Sequence, residues 1–185
     1  RVLFRSERAS TSGITWVIDP LDGTVNYLYD LPGWNVSIAA KDEQGQLIGV
    51  VTAPSINSTW WAVRGEGAFF NGRQIHSNDP IAMDRALIGT GFQYDVAHRD
   101  VQISHVSKML PIVRDIRRNG AAAVDLCHVA MGRVDGYYEI TGADGFKMEF
   151  QANAKQFGDK NTGPKNNQRA DFKAHCNTVP TITPP

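Results

Sequence analysis

The sequence predicts an α+β protein of stacked layers, and three observations carry that prediction. Five short runs rich in β-branched and aromatic residues follow one another between Ile14 and Ile75, each bounded by Gly, Pro, Asn or Asp. Their connections, such as KDEQGQ and SINS, are too short for crossover helices, so the runs are expected to pair as an antiparallel meander. Apolar residues at helical spacing appear only after them, and strands followed by helices give α+β layers.

The first run, ITWVIDP, ends where Pro20 holds Asp19 extended. NVSIAAKD, LIGVVTAP, TWWAVRG and GAFFNGRQI follow, and ALIGTGF reads as a further strand. Trp60, Trp61, Phe69 and Phe70 within these runs are expected in the core. AHRDVQISHVSKMLPIVRDI then places Val101, Val106, Met109, Leu110 and Val113 at helical spacing, with Pro111 kinking or ending the helix. A small-residue helix from Ala121 to Met131 and a short strand from Gly136 to Glu139 complete the pattern. The five His show no ligand spacing and are expected to be structural.

At 185 residues the length suits one domain. Lys plus Arg equals Asp plus Glu at 19 each, so no net field favours nucleic acid or an anionic membrane. No apolar run approaches the roughly 18 residues of a membrane span. Cys127 and Cys176 form no CxxC and no disulfide framework, which points to a reducing, cytoplasmic setting. Residues 1–11 start without Met and run straight into the first motif, so they are expected to be artefactual and the chain a fragment. Residues 142–185, rich in Asn, Lys, Gln, Thr and Pro without a period, are expected to be a disordered or frameshifted tail. The folded core is then 12–141.

The chemistry concentrates in DPLDGT, residues 19–24. Two carboxylates about 4 Å apart repel by roughly 4 kcal/mol at an effective dielectric near 20. Solvent, a shared proton or a cation must offset that. Asp19, Asp22 and the Leu21 carbonyl form an oxygen-only set that suits a hard cation such as Mg²⁺. Gly23 permits a sharp turn, so its amide and that of Thr24 can face an anion. Such a cation beside backbone amides makes a phosphate site. Asp-Pro and Asp-Gly pairs are also ordinary turn formers, and the six residues alone leave both readings open.

WVIDPLDGTVNY, residues 16–27, resembles the signature of the inositol monophosphatase family. LPGWNVSIAA, GEGAFFNGRQI, GTGFQYD and DIRRNGAAAVDLCHVAMGRVDGYYE follow in that family's order, so the resemblance covers about residues 12–139. It implies a layered αβαβα sandwich, here incomplete at both ends, and Mg²⁺-dependent hydrolysis of phosphate monoesters by metal-activated water. It implies further that Asp19 bridges the ions, Asp22 binds a second one and the Leu21 carbonyl joins them. The Thr24 hydroxyl would orient the attacking water, and Asp22 with the Gly23 and Thr24 amides would meet the substrate's phosphate end. Gly120 and Ala122 would present backbone to a polyol ring, and Glu139 would accept bonds from its hydroxyls. An intact member is expected to be homodimeric.

Two positions depart from the family pattern. The upstream metal-binding glutamate of a GEE block has only Glu7 as a counterpart, with different neighbours and a shorter spacing to Asp19. The aspartate of a PWD motif after Glu139 is replaced by EITGADGF, with Phe146 at its place and Asp144 two residues early. The expected substrate is inositol monophosphate or a similar small polyol phosphate. Histidinol-phosphate, fructose-bisphosphate and nucleotide 3′-phosphate stay open as alternatives. So does an inactive remnant of such an enzyme, and an unrelated sugar- or phosphate-binding module ranks last.

Overall fold

Alternation and turn chemistry produce the meander. In the computed structural model, which describes residues 12–94, 96–139 and 151–152, six strands are hydrogen-bonded in chain order. They are β1 (Thr15–Asp22), β2 (Asn35–Asp42), β3 (Gly45–Ala53), β4 (Ser58–Val63), β5 (Gly67–Phe70) and β6 (Arg73–Ile75), and every pair is antiparallel. GAFFNGRQI, a single run in the sequence, is a hairpin of β5 and β6. Asn71 (φ 46°) and Gly72 (φ 80°) are both left-handed, as a two-residue type I′ loop requires.

The two faces of this sheet differ. Ala39, Val51, Ala53, Trp60, Ala62 and Ala68 are buried on one side, where the small side chains let a helix approach closely. The other side carries an apolar row in register across five strands: Ile18, Ile38, Val50, Trp61 and Phe69. Trp61 and Phe69 stack there at 4.1 Å, while Ile18 stays 52% exposed. Trp60 is therefore core as expected, but Trp61 and Phe69 are not. Strand periodicity alternates neighbouring residues between faces, so two adjacent tryptophans cannot share one core.

The second sheet corrects the reading further. It has the order β10 (Gln151–Ala152), β9 (Gly136–Tyr138), β7 (Leu87–Thr90), β8 (Asp115–Arg117). β7 runs parallel to β8 and to β9, with α2 (Arg99–Met109) and α3 (Ala122–Ala130) in the intervening connections. The helix ends at Met109, two residues before the Pro111 expected to kink or end it. Pro111 lacks the amide to continue it, and the chain re-emerges as β8. The apolar stripe of α2 is also interrupted. Val101 and Ile103 are exposed, Gln102 is buried, and Met109 packs on Ala86, Ile88, Val113 and Tyr138.

α3 lies between the sheets, which explains its small residues. Val124, Cys127 and Ala130 face the first sheet, and Leu126 and Val129 pack on Tyr137 of the second and on Val134 in the turn before β9. The Met109 cluster occupies the opposite face of the second sheet, so the order is sheet, helix, sheet, helix. That accounts for four layers of an αβαβα sandwich. The fifth would lie on the Ile18–Phe69 row, which neither α2 nor α3 covers.

Candidate active site

The DPLDGT segment is a bulged strand end rather than a free turn. Pairing with β2 passes from Asp19–Ser37 to Asp22–Asn35, so β1 carries one extra residue there. The reversal follows at Gly23 (φ 74°, ψ 39°), the residue before α1 (Thr24–Leu28). Local bonds fix the segment. The Leu21 amide donates to Asp19 Oδ1 at 3.1 Å, and the Thr24 hydroxyl donates to the Leu21 carbonyl at 3.1 Å. The Gly23 amide donates to Asp22 Oδ1 at 2.9 Å, a different role from the phosphate contact expected of it.

A second segment closes on this one. Asp22 Oδ2 accepts Asn35 Nδ2 and the Ala123 amide, each at 2.9 Å, so the start of α3 is tied to the end of β1. Gly120 (φ 90°) sits so close to the buried Asn26 that a Cβ would lie 2.5 Å from Asn26 Oδ1. Asn26 Nδ2 in turn donates to the Pro32 and Asn119 carbonyls at 2.8 Å each. A Cβ on Gly23 would meet Ala121 Cβ at 3.0 Å and the Trp34 Cα at 3.2 Å. Gly120 and Ala122 thus flank the contact between the two segments, with the Ala122 side chain packed on the Leu126 cluster.

Glu139, at the end of β9, belongs to the same region. The Tyr137 hydroxyl donates to its Oε2 at 2.5 Å, and its carboxylate lies on Gly91, where a Cβ would be 2.5 Å from Cδ. Burial and the Glu139 charge push the Tyr137 hydroxyl far up, so it remains a donor. Asp125 joins these groups from the first turn of α3. It accepts a bond from Asn119 Nδ2 and senses the charges of Asp22 and Glu139. Burial pushes it up to about 7, against the Asn119 bond and together with those two carboxylates. Asp19 is raised as well, by burial first and by Asp22, against the Leu21 amide. His128 is pushed down to about 4 by burial and is neutral near pH 7, as a structural histidine should be.

Asn26, Asn35, Asn119, Asp125 and Tyr137 were not evident as site residues from the sequence. The available signal was polarity out of place: Asp125 interrupts the apolar run AAAVDLCHVA, and Asn35 opens a strand that is otherwise buried on one face. Glu7, Asp144 and Phe146 lie outside the described residues, as do Cys176 and the expected tail 142–185 apart from Gln151 and Ala152, which pair with β9. Among the described residues no group of three or more His, Cys, Asp or Glu could hold a metal.

Asp125 gives a pH prediction. Its native carboxyl keeps a proton to about 7, whereas an unfolded one releases it near 3.8. Between those values the folded protein binds more protons, so this group's contribution falls as pH rises through that window. Asp125→Asn keeps an oxygen acceptor for Asn119 and is expected to remove that decline. In EDTA at pH 8 the variant should be more stable than wild type by on the order of a few kcal/mol, measured by urea unfolding. Equal slopes of stability against pH would contradict the assignment.

Comparison with known proteins gives one consistent result. The family model described as "Inositol monophosphatase family" matches residues 5–148. Inositol-1-monophosphatase of Mycobacterium leprae (strain TN) is 43% identical over 132 residues, covering 68% of this chain and 45% of that protein. Nus factor SuhB of Escherichia coli (strain K12) is 40% identical over 128 residues, covering 69% of this chain and 48% of that protein. Among solved structures, Mycobacterium tuberculosis SuhB aligns with a TM-score of 0.65 at 41% identity, over 68% of this chain and 53% of that one. The extragenic suppressor protein suhB from Bartonella henselae aligns with a TM-score of 0.67 at 34% identity, over 71% and 51%. The chain spans about half the length of the curated relatives it matches.

Proposed function

The chain belongs to the inositol monophosphatase family, and from that premise we propose that it carries part of a phosphomonoesterase site acting on inositol monophosphate or a similar small polyol phosphate, with Mg²⁺ as cofactor. One observation supports this most: the Asp19 and Asp22 carboxylates, the Leu21 carbonyl and the Thr24 hydroxyl share one bulge against the start of α3.

The donor set fits a hard cation. It is all oxygen, and the half-buried Asp19 beside Asp22 is in the position an adjacent positive charge would relieve. Asp19, Leu21 and Asp22 would hold it, and Mg²⁺ commonly uses only one or two carboxylates plus waters and substrate phosphate. When bound, it supplies a more acidic water and charge for the leaving oxygen. The chain's own groups do the rest. The Thr24 hydroxyl proton rests on the Leu21 carbonyl, so its lone pairs can accept a hydrogen from an attacking water. The Thr24 amide, at the start of α1, would meet phosphate. Glu139, held by Tyr137, would accept a substrate hydroxyl, and the backbone at Gly120 and Ala122 would lie along the polyol ring.

Phosphate release from inositol 1-phosphate, with Mg²⁺ and with EDTA, tests the reading against histidinol phosphate, fructose bisphosphate and a nucleotide 3′-phosphate. Undiminished release in EDTA would end the metal assignment. Glu139→Gln is expected to lower kcat/KM on inositol 1-phosphate at least tenfold more than on an aryl phosphate, because only the former offers ring hydroxyls to the charged carboxylate. Equal losses on both would remove Glu139 from substrate recognition. A second reading is that this chain alone is inactive, favoured by the two-carboxylate ligand set among the described residues. A folded chain that binds Mg²⁺ yet releases no phosphate would support it. Among the described residues no helix is long and apolar enough to cross a membrane.

A further inference from the structure

We propose that Asn35 is a positioning residue for cation binding at Asp22, an inference that rests on the metal-dependent reading above. Asn35 is 0% exposed at the first position of β2, directly opposite Asp22 across the β1 bulge. Its Nδ2 donates to Asp22 Oδ2 at 2.9 Å and to the Gly33 carbonyl at 3.3 Å. Its own Oδ1 is buried and finds no hydrogen-bond partner among the described residues. An unmet buried acceptor is costly, and packing does not require it. Nearby inner-face positions of the same sheet, Ala39 and Ala53, are filled by alanine. The amide therefore earns its place through what its nitrogen does for Asp22.

That role follows from counting acceptor sites. An ionised carboxylate offers about four lone-pair sites. Three protein N–H groups already reach Asp22: Gly23 on Oδ1, and Asn35 and Ala123 on Oδ2. They come from the turn, from β2 and from α3, so the carboxylate is held from three separate elements. The acceptor capacity left to a cation is then directional. Removing the Asn35 donor has two opposed consequences. Asp22 keeps one more lone pair for a cation, but it also gains freedom to rotate away from its ligating orientation. Loss of a residue that orients a ligand typically weakens metal affinity by about 10–100-fold, so orientation is expected to dominate.

Mn²⁺ binding to the 185-residue chain, followed by the electron paramagnetic resonance signal of the free ion, tests this. Asn35→Leu keeps the side-chain volume without the donor, and Asn35→Ala removes both. Each is expected to bind Mn²⁺ about 10–100-fold more weakly than wild type. Ser55→Ala, which deletes the acceptor of the Gly33 amide on the same loop without touching Asp22, should leave the affinity unchanged. A merely structural role would lower the unfolding temperature in EDTA and leave the Mn²⁺ affinity of the folded variant intact. Should the variants fail to fold, the Asn35 side-chain amide resonance of the wild type is followed during a Mg²⁺ titration. It is expected to shift with the same half-saturation as cation binding. Equal Mn²⁺ affinity in wild type and Asn35→Leu, or an unresponsive amide on saturation, would overturn the proposal alone. A wild type that binds no Mn²⁺ would overturn the metal reading and this inference with it.

Discussion

Asp19→Asn is expected to reduce phosphate release by at least about 10²–10³, the loss typical of removing one group that stabilises developing charge. The substitution is nearly isosteric, and an asparagine Oδ1 can still accept the Leu21 amide that holds the bulge. What disappears is the negative charge beside Asp22. The fold should not suffer. Burial, and then Asp22, raise the Asp19 carboxyl above its ordinary 3.8 against the Leu21 bond. The folded state therefore binds this proton more readily than the unfolded one, and the group's contribution to stability falls as pH rises through the folded value. Replacing it with a neutral amide removes that decline. In EDTA near pH 7 the variant should thus be at least as stable as wild type while being almost inactive. Wild type in EDTA should show the same loss of turnover. Activity retained by Asp19→Asn would remove the residue from the proposed cation site, and joint loss of stability and activity would make it structural.

That separation of roles was partly visible in the sequence. The bulge residues announce themselves because Pro20 and Gly23 are backbone punctuation and a carboxylate precedes each of them. The meander was visible for a related reason: period-two alternation and short turns are local properties. Three kinds of information were not local. Which face of the sheet each aromatic takes depends on register, so Trp60 and Trp61 part company although they are neighbours. The parallel pairing of β7 with β8 and β9 depends on the chain after Pro111 returning as a strand, and three residues, Asp115–Arg117, are too few to show a period. The polar frame around Asp22 is the third. Asn35 is 13 positions from Asp22 and the Ala123 amide is 101 away, and backbone amides leave no trace in residue identity.

The contact between those distant segments also sets the other large expected effect. Gly120→Ala should destabilise the fold by about 3 kcal/mol and lower turnover by roughly 10²-fold. Two costs combine at this position. Its φ of 90° lies where a side chain is strained. The added Cβ would also stand 2.5 Å from Asn26 Oδ1 and 3.1 Å from an Arg118 nitrogen. Asn26 cannot simply withdraw, because it is buried and its Nδ2 holds both the Pro32 and the Asn119 carbonyls. Relief must come from moving the 118–121 loop away from α1, and that shift carries the Ala123 amide off Asp22. A displacement of about 1 Å at a reacting site is enough for the predicted rate loss. Gly72→Ala separates the two costs. Gly72 has a similar φ of 80°, but a Cβ there meets nothing within 4 Å and the hairpin is remote in sequence from the site. It should lose stability by backbone strain alone, about 1 kcal/mol, with turnover unchanged. Urea unfolding and phosphate release on both variants decide the matter: equal behaviour of Gly120→Ala and Gly72→Ala would mean that the close approach of the two segments does not hold the site together.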